Sequence, residues 1–131
     1  IACMTDMGIE NYLITSSLVA VLAQRLVRMI CPDCRRPAGT AMTPDGNIIE
    51  VFEGAGCELC FGTGYRGRVG IFELMELNEE LRRMITRNED ASVLTEAARR
   101  NGMRTLREDG WDKVAEGVTT PEEIMRVTQE F

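Results

Sequence analysis

The chain has no histidine, a single lysine at Lys113, aromatic residues at only 5% and no long apolar run. Without imidazole there is no Ser-His or Cys-His nucleophilic catalysis and no histidine–metal bond. The longest uninterrupted apolar stretch, residues 18–23, falls far short of the ~20 residues a membrane-spanning helix needs. The scarcity of lysine and aromatic rings, with 15 basic against 21 acidic side chains and a net charge of −6, argues against a broad face for nucleic acid or anionic lipid. No basic stretch leads into an apolar core, so no signal peptide is expected. The opening Ile1, in place of methionine, raises the expectation of a longer parent chain.

What is present is ordinary for a globular protein: 131 residues, 44% hydrophobic and 27% charged, enough for one modest domain or two or three small ones. Residues 10–30 read as helix passing into strand. Leu13, Ile14, Ser17, Leu18, Val21 and Leu22 recur at helical spacing, and residues 24–30 then alternate imperfectly between Arg and apolar side chains. Residues 31–68 are rich in Cys, Pro, Gly and Thr and cannot build an apolar core, with one short strand expected at residues 47–52. Residues 69–77, nearly all apolar, read as a mostly buried strand pairing antiparallel with residues 24–30. From Asn78 the pattern is helical. Asn78 is a cap, Asn101-Gly102 a C-terminal stop, and Thr105-Leu-Arg-Glu108 and Thr120-Pro-Glu-Glu123 are two capping boxes. Met84, Met103, Trp111 and Met125 are expected in the core of these helices. The fold class expected is α+β: a short antiparallel strand pair, a tetra-cysteine subdomain and a terminal bundle of three or four short helices. Its divisions fall at residues 1–30, 31–68, 69–77 and 78–131.

Cys31-Pro-Asp-Cys34 and Cys57-Glu-Leu-Cys60 are two C-x-x-C knuckles separated by the 22 residues 35–56. A two-residue insert turns the backbone tightly enough for both sulfurs to face one tetrahedral ion at ~2.3 Å each, and the long loop returns the second pair to complete the tetrahedron. Metal closure would replace the missing core of residues 31–68. Zinc suits four thiolates, with an iron centre of the same geometry as the alternative. Two redox pairs or a disulfide framework are the competing readings, the latter belonging to oxidising compartments. A site closed by four cysteines leaves no position for water, so its role is structural. Four thiolates on Zn²⁺ leave a net charge of −2. Arg25, Arg28, Arg35, Arg36, Arg66 and Arg68 lie close in sequence, either to offset that charge or to face a phosphate or acidic partner. Cys3 stands apart as a free thiol.

Several stretches together resemble a known family. They are Asp6-Met-Gly-Ile-Glu10, Ser16-Ser-Leu-Val-Ala-Val-Leu-Ala-Gln-Arg-Leu-Val-Arg28 with Cys31-Pro-x-Cys34, and Cys57-x-x-Cys60-x-Gly-Thr-Gly-Tyr-Arg-Gly-Arg-Val-Gly-Ile-Phe-Glu-Leu74. To these add Gly102-Met-Arg-Thr-Leu-Arg-Glu-Asp-Gly110 and Gly117-Val-Thr-Thr-Pro-Glu-Glu-Ile-Met-Arg-Val-Thr128. In this order they are similar to the C-terminal part of the type II secretion and type IV pilus assembly ATPases, the general secretory pathway E-protein and its pilus-extension relatives. The resemblance implies a parent that is a homo-hexameric, cytoplasmic, RecA-like motor. Peripheral to the inner membrane, it would hydrolyse ATP with Mg²⁺ and work with inner-membrane platform and docking proteins and no nucleic acid. It implies that residues 1–30 end the ATPase domain. It also implies, by analogy of motif position, that Arg25, Arg28 and Arg68 lie near nucleotide. The departures are as informative. There is no G-x-x-x-x-G-K-[ST] loop and no histidine box, so no catalytic residue is assigned and the chain alone is expected to be inactive. Pro121 stands where an apolar residue is more usual and suits the first helical position.

Two other classes share the paired knuckles. A chaperone-type zinc module repeats the Cys-x-x-Cys-x-Gly-x-Gly pattern four times, whereas here Arg35-Arg36-Pro37 follows the first knuckle. A nucleic-acid-binding zinc ribbon needs a basic, aromatic face that this composition scarcely provides.

Overall fold

The structure, a computed structural model, describes Met4 and residues 7–129; Cys3 lies outside the described residues. Among the described residues nine elements follow one another: α1 (Asn11–Ser17), β1 (Ala20–Ile30), β2 (Arg35–Met42), β3 (Ile48–Gly54), β4 (Tyr65–Glu76), α2 (Glu79–Thr86), α3 (Ala91–Arg100), α4 (Leu106–Ala115) and α5 (Pro121–Thr128). The strands form two two-stranded sheets, β1–β4 and β2–β3. The β1–β4 pair runs antiparallel: the Leu77 amide donates to Val19 at one end and the Cys31 amide to Gly64 at the other, each at 2.9 Å. The α+β class and the returning strand are therefore as the sequence predicts.

Three local expectations are corrected. The apolar face assigned to helix as far as Leu22 is helical only to Ser17, and the strand begins at Ala20. A short run of Leu, Val and Ala satisfies either period, and pairing with β4 decides it. Residues 35–52 are not a free loop with one strand in it but a hairpin, with Arg35 opposite Gly54 and Met42 opposite Ile48. Its register shifts between Pro37 and Thr40, where proline has no amide to donate. Its turn is closed by the Thr43 amide on Asn47 at 2.8 Å and the Gly46 amide on Thr43 at 2.9 Å. Finally, β4 starts at Tyr65 and is only half covered. Ile71 is fully buried, while Phe72 and Leu74 are 45% and 47% exposed.

The chain divides into two compact units, Ile1–Ala23 with Glu73–Arg104 and Gln24–Phe72 with Thr105–Phe131, so the helices after Asn78 are shared between them. In the first unit Leu77, Leu81, Ile85, Ala97 and Ala98 form a core, joined by Leu18, Met75, Met84, Leu94 and Met103. The Asn78 side chain caps α2 by accepting the Leu81 amide at 2.8 Å. Gly102, with φ +99°, ends α3 and lets the Met103 amide return to Ala98 at 3.0 Å. In the second unit Val27, Ile71, Leu106, Val114 and Ile124 are buried. Gly110 lies so close to Ile124 that a Cβ would crowd its branched side chain, and this is how α4 and α5 approach. Met125, expected in the core, lies on the outer face of α5, 43% exposed.

Thr105 and Glu108 form the reciprocal capping box expected at α4. At α5 only half of the second box exists. The Thr120 hydroxyl accepts the Glu123 amide at 3.1 Å, but the Glu123 carboxylate does not return to Thr120 and is spent elsewhere.

Candidate metal centre

β1 ends by delivering Cys31 into the interior, and a tight turn carries the chain past Cys34 into β2. The hairpin returns through Gly54 to a second turn holding Cys57 and Cys60, from which β4 departs at Tyr65. The two knuckles thus sit where the two sheets meet end to end. That meeting requires glycine at two places. A Cβ on Gly54 would fall on the backbone of Gly64, and one on Gly64, itself at φ +81°, would fall on the carbonyl of Gly54.

All four sulfurs lie within 4.8 Å of one another. The Cys31–Cys57 and Cys34–Cys60 separations are 3.8 Å and Cys57–Cys60 is 3.7 Å. A disulfide would need about 2.05 Å, so the bridged alternative does not describe these thiols. A tetrahedron of sulfurs ~2.3 Å from one ion has edges of about 3.8 Å, the spacing seen. The residues present therefore fit a single metal ion, and a set closed by four thiolates would hold it without an open position for chemistry.

Backbone amides are already aimed at the sulfurs. Gly56 donates to Cys34 at 3.3 Å, and Cys57 and Gly64 each donate to Cys60 at 3.2 Å. Burial raises the Cys60 thiol, but the amides of Cys57 and Gly64, with the neighbouring thiols, overcome it and bring the group down to about 6. Desolvation, reinforced by sharing protons with the other sulfurs, pushes Cys34 up to about 12 against the single amide of Gly56. Of these sulfurs Cys60 is thus biased toward the thiolate, and a cation bound here would complete the deprotonation.

The neighbouring arginines are mostly committed to carboxylates or rings. Arg66 pairs with Asp33 of the first knuckle at 3.2 Å, Arg36 with Glu53 at 3.2 Å, and Arg35 stacks 4.0 Å from the Phe52 ring centroid. Arg25 and Arg68 are exposed. Arg28, itself half exposed, is bound to a buried carboxylate. Glu123, 1% exposed, accepts the Arg28 amide at 2.8 Å, the Arg28 Nε at 3.1 Å and Nη2 at 3.0 Å, and the Arg126 Nε at 2.9 Å and Nη2 at 2.7 Å. The Arg28 guanidinium also lies 4.3 Å from the Tyr65 ring centroid. Burial raises the Glu123 pKa. Hydrogen bonds from Arg126 and Arg28 outweigh it and hold the carboxyl at about 2. Sequence reasoning missed Glu123, taking it for an acid at a helix start. The broken second capping box and Arg126, three residues on in the same helix, are its local traces; its other partner, Arg28, lies 95 residues away.

The sequence profile of the type II/IV secretion system proteins matches residues 1–126. The chain belongs to that family. It is 45% identical to the type II secretion system protein E of Aeromonas hydrophila and 41% identical to the type II secretion system ATPase E of Vibrio cholerae. In each case the match covers 97% of this chain and 26% of the relative. It is 39% identical to the type IV pilus assembly ATPase PilB of Thermus thermophilus, over 97% of this chain and 15% of that protein. The chain thus spans about a quarter of the length of the two secretion relatives and less of the pilus relative, and both system types are represented among them.

Proposed function

We propose that this chain is the zinc-bearing C-terminal region of a secretion or pilus-assembly ATPase. Its role is structural: Zn²⁺ on Cys31, Cys34, Cys57 and Cys60 fixes the base of the β2–β3 hairpin, which is presented to an inner-membrane platform protein. The observation that carries the reading is the near-tetrahedral spacing of four unbridged sulfurs. The names and identities of the relatives supply the motor context. On this reading the parent is a cytoplasmic homo-hexamer at the inner membrane, and ATP hydrolysis belongs to its P-loop segment, which these residues lack. Arg25 and Arg68, exposed on β1 and β4, are the arginines proposed to face nucleotide in the parent; Arg28 is assigned to the scaffold.

Elemental analysis of freshly purified protein tests the reading, with one zinc per chain expected. A strong chelator should then raise amide exchange across residues 31–64 while α2 and α3 keep theirs. Protein without bound metal, or one indifferent to the chelator, would remove zinc from the account.

A further inference from the structure

The strand entering the metal centre and the strand leaving it are both fastened to one short piece of chain, residues 118–123. Alternate residues of a strand point their backbone groups to opposite edges. Cys31 uses its amide on Gly64, toward β4. Arg28 and Ile30 therefore face the other edge, where a neighbouring strand would otherwise sit. The Ile30 amide donates to the Val118 carbonyl at 2.8 Å, the Thr119 hydroxyl donates to the Arg28 carbonyl at 2.7 Å, and the Arg28 amide donates to the Glu123 carboxylate at 2.8 Å. On the opposite side of the neck, the Tyr65 hydroxyl meets Thr120, the cap of α5, at 2.7 Å. Thr119, Thr120 and Glu123 are all buried.

Arg28 precedes the first ligand by three residues and Tyr65 follows the last by five. The same clamp thus holds both ends of the loop that carries all four sulfurs. Closing a loop of this length costs chain entropy, and whatever closes its neck lowers the cost of bringing the two knuckles together. We propose that Glu123 is a positioning residue for the metal centre: with Arg28, Arg126 and the Tyr65–Thr120 contact it forms a latch, so that metal loading and docking of α5 are one coupled equilibrium. The inference rests on the metal reading above and adds to it that the state of the metal is reported at the C-terminal helix. Linkage makes the coupling reciprocal: opening the latch weakens metal binding, and removing metal loosens α5.

The test measures zinc affinity of the whole chain by competition with a chromophoric chelator. Glu123→Gln, which keeps the shape and removes the charge, should weaken binding about tenfold, within the usual range for coupled sites. Tyr65→Phe, which removes one hydroxyl, should weaken it about threefold. Ile85→Val, a core substitution in the other unit, serves as the control for general destabilisation and should leave the affinity alone. In the reverse direction, chelation of the unsubstituted protein should speed amide exchange in residues 118–128 at least tenfold, and Glu123→Gln should shrink that difference. Unchanged zinc affinity in folded Glu123→Gln, or exchange at residues 118–128 indifferent to chelation, overturns the coupling. If Glu123→Gln fails to fold, Tyr65→Phe decides by the same criterion. An unsubstituted chain that takes up no zinc refutes the metal reading itself, which is a separate result.

Discussion

Gly54 and Gly64 touch backbone to backbone at the point where the hairpin rejoins the neck, and no side chain fits between them. Alanine at Gly54 has to push the two strands apart, and the knuckle that follows moves with them. Gly54→Ala is expected to cost about 2 kcal/mol of stability, in the range of overpacked sites, and to lower metal occupancy. Thermal unfolding and elemental analysis of the same preparation check both. The clustering of the four cysteines was legible from spacing alone, because a two-residue insert is itself a geometric constraint that needs no tertiary information. Glu123 was not. Its role depends on Arg28, far away in the chain, and acids at helix starts are so often solvated cap companions that position alone suggests nothing more.

Among elements, the helix ends were the most readable, since a cap is settled within four residues. Asn78 and Thr105 do what their positions predict, and Thr105→Ala should cost about 1 kcal/mol, read as a fall of a few degrees in Tm. The hairpin was harder. Pro44-Asp45-Gly46 is a turn signal in plain view, but β2, with Pro37 and Gly39 inside it and nearly every residue exposed, lacks the apolar alternation by which strands are recognised. It is held as a strand by pairing with β3 and by the knuckles at its base. The helix-to-strand change at Ser17–Ala20 was ambiguous for the opposite reason, a short run apolar on every face.

For the whole molecule, acid should be felt most at Glu123. A carboxyl held at about 2, against an ordinary 4.5, contributes stability that is fully present above about pH 4.5 and is lost as the pH falls through 2. The contribution is on the order of 3 kcal/mol. Unfolding curves of the unsubstituted protein and Glu123→Gln, recorded from pH 6 to 2, should therefore converge as the pH drops through that window. Both proteins are compared metal-free, so that thiolate–metal linkage does not enter and the difference between the curves isolates the carboxylate.

At Arg28 and Ile30 the outer edge of β1 is occupied by side chains and a single carbonyl from residues 118–123, in place of another strand. A chain shortened to end before Val118 would leave that row of donors and acceptors bare. Bare edges recruit strands from other molecules, so residues 118–123 also guard this protein against sticking to copies of itself.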